Sequence, residues 1–301
     1  MKTVLIWGFY NQGNIGDDLM AMLFYEMLEE AGARPVVFTS NPRFHTMGYR
    51  TTADYSGLVL DGLFLGGGAF FKRSADSNSA IEREVGRLAS FISEKEVPIF
   101  GMSLGSDGIS EIGAMSAARQ AVVQSPHFRK TALRLGQDME LGLPNSQYLP
   151  DVVLLSGFCS DKYSRLRPVD PSLQAPGTLI NLSRRSAPYL PKVLWRARGQ
   201  RPAFFRAHTG SRKTGGEITL PGIRVIDSDR MDSQLGYLKN ANKIVSSKLH
   251  PGVIALSFGR AFEPVAPRPK TQAFLAETRI DQLVFADLFD QYMSFIRSIL
   301  S

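Results

Sequence analysis

The 301-residue sequence predicts an α/β protein built from two Rossmann-like, doubly wound domains that face each other across a cleft. Three observations predict it. Short apolar, β-branched runs alternate with amphipathic helical stretches along the whole chain. The strand-like runs are continuously apolar rather than alternating, as befits strands covered on both faces of a parallel sheet. Glycine-bearing loops follow three of these runs, where a doubly wound sheet carries its ligand loops.

In chain order, residues 3–9 are a first strand, and 17–31 a helix with Leu19, Met22, Leu23, Tyr25, Met27 and Leu28 at helical spacing. Strands follow at 35–39 and 58–65, then an amphipathic helix over 81–94, a strand at 97–104 and a helix over 114–124. Short strands at 131–135 and 148–155 complete a first domain over 1–160. Residues 161–177 turn rich in Asp, Pro, Arg and Ser, the composition of a linker. The alternation then resumes in a second domain over 161–284. Its strands are 178–182, 203–207, 222–226, 243–247 and 261–265, and its helices 233–240 and 251–258. A final helix over 281–300 ends the chain, and its 285–301 portion is expected to pack back on the first domain.

Composition narrows the class. Hydrophobic residues make up 44% and charged residues 21%, enough for two cores and incompatible with global disorder. A single cysteine, Cys159, excludes a disulfide framework and a Cys-rich zinc site. The net charge of +7 is local. No acidic residue occurs between Asp170 and Glu217, while Arg184, Arg185, Lys192, Arg196, Arg198, Arg201, Arg206, Arg212 and Lys213 all lie there. Those nine exceed the whole net charge, so the rest of the chain is slightly acidic and a uniform nucleic-acid coat is excluded. The apolar run at 4–7 is too short for a signal peptide, and no run of ~18 apolar residues would span a bilayer. A cytoplasmic protein is expected.

Four loops carry candidate chemistry. The first, Gly8 to Asp18, leaves a strand and opens a helix, and contains Asn14 and Gly16. Its Asp17 and Asp18 fit a helix cap, hydroxyl acceptors or a base, and repel a phosphate. The second places Gly66, Gly67 and Gly68 after an apolar strand, a costly run unless something approaches the backbone closely. The third, Gly101 to Gly108, contains Gly105. The fourth reads Ser246-Ser247-Lys248-Leu249-His250-Pro251, with Pro251 suited to a first helical turn and His250 at the cleft edge. No metal-ligand spacing occurs, so no required metal is expected.

Taken in order, these loops resemble the polysaccharide pyruvyltransferase family over most of the chain. Residues 11–19 resemble its G-N-x-G-D-[DE] loop, 64–71 its G-G-G strand end and 101–108 its G-x-G-x-G loop. Residues 148–152 match a P-D segment, 178–184 an N-L-x-R-like strand, and 245–255 the S-x-R-L-H-x-x-x-x-A motif, with Gly259, Pro264 and Lys270 downstream. Lys248 stands where the family has arginine, keeping the charge without the bidentate fork. The R-D-x-x-S segment survives only around Arg134, with Arg129 as an alternative alignment.

The resemblance implies a GT-B-like fold and transfer of pyruvate from phosphoenolpyruvate to two hydroxyls of one sugar, closing a cyclic ketal and releasing phosphate. The acceptor it implies is a bacterial surface polysaccharide or its lipid-linked precursor, and no cofactor beyond the donor is needed. By motif position His250 is the acid–base candidate, with Asp17 and Asp18 facing the cleft as hydroxyl acceptors or part of the acid–base set. Lys248, Leu249, Arg134, Arg184 and Lys270 are assigned to the donor. Asn14, Gly16, Gly67, Gly68 and Gly105 form the acceptor-side loops.

For the basic segment 184–213, two readings stand: a solvated face, or amphipathic contact with an anionic membrane on its cytoplasmic side. Its aromatics show no RNA-binding pattern, so nucleic acid is not expected. Two rival functions share the architecture, a GT-B nucleotide-sugar glycosyltransferase and a non-catalytic glycan- or lipid-binding relative.

Overall fold

A computed structural model describes residues 1–74, 79–170, 176–208 and 216–301. Two parallel sheets organise it, each flanked by helices. In the first, β1 (Thr3–Trp7) pairs on one side with β2 (Arg34–Phe38) and then β3 (Thr51–Thr52). On its other side lie β4 (Gly62–Gly66), β6 (Ile99–Ser106), β7 (Phe128–Leu133) and β8 (Ser146–Tyr148), with β5 (Ala69–Phe71) extending the far end of β6. The second sheet runs β11 (Val225–Ile226), β10 (Pro202–Phe205), β9 (Thr178–Asn181), β12 (Lys243–Ser246), β13 (Ala261–Pro264). In both sheets the strand order reverses beside the first strand, the switch point where doubly wound folds open a crevice.

The helices explain how closely the halves pack. Thirteen of the sixteen residues of α1 (Ile15–Glu30) are buried, so the helix is wrapped on all sides rather than amphipathic. It belongs to one apolar cluster that runs from Val4 and Ile6 of the first sheet to Leu179 and Ile244 of the second. The same cluster takes in α8 (Leu249–Ser257). In α5 (Ser156–Lys162), Gly157 lies so near α8 that a Cβ would stand 2.2 Å from the Ser257 carbonyl oxygen. The last helix, α10 (Phe285–Leu300), buries Leu288, Tyr292 and Ile296 in that cluster. Tyr292 Oη donates to the Pro150 carbonyl at 2.9 Å and Lys130 Nζ to Ser298 Oγ at 2.9 Å, which fastens α10 to the first domain.

Some elements differ from the sequence reading. The apolar run 152–155 is a 3-10 turn, not strand, because Asp151 caps it by accepting from Val153 N at 3.0 Å. The strand expected over 58–65 begins only at Gly62. The short helices α2 (Pro42–Thr46), α5 and α9 (Pro269–Glu277) have too few turns to give a clear apolar period. No described helix is long and apolar enough to cross a membrane.

Candidate functional site

The loop between β1 and α1 is capped by Asn14, not by either aspartate: Asn14 Oδ1 accepts from Gly16 N at 3.2 Å. Its Nδ2 donates to Asp17 Oδ2 at 2.7 Å, and Ile15 N donates to the Ala207 carbonyl of the second domain at 2.9 Å. The loop is thereby tied to both halves. Gly16 faces His250 so closely that a Cβ would sit 1.8 Å from His250 Nδ1, and any side chain there would displace the imidazole. Gly67 and Gly68 adopt φ of 68° and 76°, and a Cβ on Gly68 would come within 3.4 Å of Asp17 Oδ1. A Cβ on Gly105 would meet Arg134 Nε at 2.5 Å, so this glycine makes room for the guanidinium.

Arg134 follows β7 and is buried, with 5% of its side chain exposed; its Nη1 donates to Asp151 Oδ2 at 2.8 Å. The same Nη1 stands 3.4 Å from His250 Nε2. Because a guanidinium only donates, Nε2 is the acceptor of this contact, and the imidazole is neutral with its proton on Nδ1. Burial pushes His250 below the usual histidine range; Asp17 and Asp151 oppose the shift, while Arg134 and Lys270 reinforce it. His250 lies inside the first turn of α8, whose N-cap is Lys248, and the helix N-terminus disfavours the imidazolium further.

Lys248 Nζ lies 2.8 Å from His208 Nδ1 and 2.8 Å from Glu217 Oε1. Glu217 also accepts from Asn181 Nδ2 at 2.8 Å and from Ala207 N at 3.1 Å. Burial alone would raise its carboxyl, but the neighbouring His208, the Lys248 ammonium and the Asn181 amide carry it down to about 2. Burial lowers the Lys248 ammonium against the pull of Glu217. Lys270, at the start of α9, stands 3.6 Å from Asp107, and burial lowers it too.

These groups line two neighbouring cavities. One, of about 300 Å³, lies against the second sheet and includes Ser183, His208, Lys248, Leu249 and Arg268. The other, of about 210 Å³, lies against the first sheet and includes Phe9, Gln12, Asp17, Gly68, Lys72 and Asp107. Asn14, Arg134, His250 and Lys270 line both, so His250 stands at the junction. A group bound on one side therefore meets a group bound on the other beside this imidazole.

Eight of the thirteen sequence-derived residues line these cavities; Gly16 and Gly105 back His250 and Arg134, Gly67 faces Met20, and Asp18 and Arg184 lie elsewhere. Asp18 was expected to face the cleft, yet it is fully buried and outside both cavities. It pairs with Arg43 at 3.0 Å and accepts from Asn41 at 3.2 Å, and burial raises its carboxyl against both partners. Arg43 Nε in turn donates to the Asp229 carbonyl at 2.8 Å, so Asp18 supports a contact between the halves. Arg184 was expected to end a strand at the cleft; β9 stops at Asn181, and Arg184 opens an exposed 3-10 turn with Ser183 taking its place in the wall. Lys248 lies at the cavity, but its charge is already matched by Glu217. Sequence reasoning missed His208, Glu217 and Arg268, and gave Asp151 no role beyond its place in the P-D segment. The one sequence signal for Glu217 is that it ends the acid-free stretch. Among the described residues no group of three His, Cys, Asp or Glu is placed to hold a metal.

The fold is GT-B. No family model matches the chain, and no curated protein matches it by sequence. Solved structures do. A UDP-GlcNAc 2-epimerase from Methanocaldococcus jannaschii, in complex with UDP-GlcNAc and UDP, aligns with a TM-score of 0.56 at 10% identity, over 99% of this chain and 100% of its own. S. aureus MnaA with UDP aligns at 0.54 and 10% identity, over 97% and 90%. An α-glucosyltransferase bound to UDP and DNA aligns at 0.50 and 9% identity, over 99% and 95%. At such identities the likeness establishes architecture and leaves chemistry to the site.

Proposed function

We propose that this chain is a sugar-modifying transferase that grips an anionic donor in the cavity of the second domain and receives a sugar acceptor in that of the first. The observation that carries the reading is His250 at the junction of the two cavities, with Arg134 and Lys270 beside it and Asp17 on the acceptor side. For the donor we favour phosphoenolpyruvate, with pyruvate passing to two hydroxyls of one sugar in a bacterial surface polysaccharide or its lipid-linked precursor. The Gly-rich loops and Lys-Leu-His segment support this choice. The reaction would be cytoplasmic and would need no further cofactor.

The protons balance without one. The donor methylene takes a proton and becomes methyl, the first hydroxyl adds to the adjacent carbon, phosphate leaves, and the second hydroxyl closes the ketal. Two hydroxyl protons are lost; one ends on the methyl group and one on phosphate. His250 is neutral when the site is empty, so once the anionic donor draws the Arg134 guanidinium off Nε2, that nitrogen can accept a hydroxyl proton and return it to carbon. A trianionic donor against Arg134 and Lys270 stabilises the imidazolium that forms between these events. Asp17 holds the acceptor hydroxyls.

A second reading, transfer from a nucleotide sugar, draws support from the full-length likeness to UDP-bound GT-B proteins. Here the Lys248–His208–Glu217 group would face a diphosphate. Incubation with phosphoenolpyruvate or with UDP-sugars, each with lipid-linked oligosaccharides, separates the two. Phosphate release with a ketal mass on the acceptor supports the first, and UDP release supports the second.

A further inference from the structure

The basic segment resolves into an inner and an outer face. α6 (Leu190–Ala197) buries Val193 and Ala197, and Leu190 and Leu194 pack against the same cluster with Phe204 of β10. Among the described residues, two of the segment's cations are matched: Arg196 pairs with Glu263 at 2.9 Å and Arg206 with Asp227 at 3.2 Å. Arg212 and Lys213 lie outside the described residues. What remains outward is Arg184, Arg185, Lys192, Arg198 and Arg201, all exposed. Two large aromatics share that face, Trp195 at 61% exposed and Tyr189 at 48%.

Their arrangement is not that of a merely solvated face. Tyr189, Lys192 and Trp195 follow one another at three-residue spacing, which aligns them along one side of the turn and helix. The Arg198 guanidinium lies 4.5 Å from the Trp195 ring centre, joining a cation to the exposed indole. Indole and phenol rings beside cations that pair with no acid among the described residues suit an interface that is negatively charged outside and apolar just beneath. The face also begins at the site: Ser183 lines the donor-side cavity and Arg184 is the next residue.

We propose that this face docks on a bilayer containing anionic phospholipid, with Trp195 and Tyr189 entering the headgroup layer and the five cations bound by its negative charge. The proposal does not depend on which donor the cavity takes. It predicts that the protein co-floats with phosphatidylglycerol–phosphatidylcholine vesicles at about 0.1 M salt and not with phosphatidylcholine vesicles alone. The only tryptophans are Trp7, 1% exposed, and Trp195, so a blue shift of emission on adding the anionic vesicles reports Trp195 directly. At roughly five-fold for each cation removed, the K192A/R198A/R201A variant should bind the vesicles about a hundred-fold more weakly. Trp195→Phe should keep part of the flotation while losing the shift. Absence of flotation with anionic vesicles overturns the proposal, as does undiminished flotation of the triple variant with its circular dichroism unchanged. Equal binding to phosphatidylcholine alone overturns it too, and so does retention on nucleic acid with no vesicle binding.

Discussion

Replacing Glu217 with glutamine should weaken the second domain in a pH-dependent way. Its side chain is 7% exposed and accepts from Lys248, Asn181 and the Ala207 amide. A carboxyl carried from 4.5 to about 2 by folding contributes about 3 kcal/mol of stability at pH 7, at ~1.4 kcal/mol for each pH unit. Because the folded value is depressed, that contribution is complete above pH 4.5 and is lost as pH falls through about 2. About half of it remains at pH 3. Glutamine stands in for the protonated carboxyl, so the gap between wild type and Glu217→Gln should be about 3 kcal/mol at pH 7 and roughly half that at pH 3. Urea unfolding of both proteins followed by circular dichroism, at each pH, measures it. Equal stabilities at pH 7, or a gap that does not narrow on acidification, would show that the carboxylate is not what Lys248 and Asn181 hold together.

Three other perturbations follow. Gly16→Ala places a methyl 1.8 Å from His250 Nδ1; the imidazole must move by more than about 1 Å, so turnover should fall on the order of 100-fold while stability drops by about 1–3 kcal/mol. Unchanged phosphate release would remove His250 from the reaction. Titration of His250 by NMR should give a midpoint below the ordinary histidine value in the free protein and a higher one with phosphoenolpyruvate bound; a midpoint that does not move contradicts the proton assignment. Arg43→Ala removes the guanidinium from the buried Asp18 and from the Asp229 carbonyl, at about 1–3 kcal/mol near neutral pH, where a carboxyl pushed up to about 8 is mostly protonated. Asp18 ionises against Arg43 only as pH rises through about 8, so the loss should grow from pH 6 to pH 9, and a pH-independent loss would mean that charge plays no part.

The architecture was legible because parallel strands leave a simple trace: continuous apolar runs such as Leu63–Phe64–Leu65, three of them followed by glycine-bearing loops. Sequence spacing located Asn14 and Gly16 in one loop and His250 in another, but their meeting depends on how α1 and α8 pack, which no local pattern records. The two adjacent aspartates illustrate the limit. A turn of about 100° along α1 sends Asp17 to the cavity and Asp18 to Arg43, and a helix buried all round offers no polar face to tell them apart. Glu217 and His208 carry no motif; they reach Lys248 because β9 and β12 are neighbours and the chain after β10 folds back over them. The run 152–155 misled for a different reason, since four apolar residues fit a strand or a buried turn equally well and Asp151 decides between them.

The central claim is that an anionic donor meets a sugar beside His250. The most direct test incubates the protein with phosphoenolpyruvate and a panel of lipid-linked oligosaccharides, with His250→Ala alongside, and follows phosphate release and acceptor mass together. Stoichiometric phosphate and a pyruvyl ketal on the acceptor are expected with wild type, and neither with the folded variant. Turnover of a UDP-sugar instead, or full activity in His250→Ala, would contradict the claim.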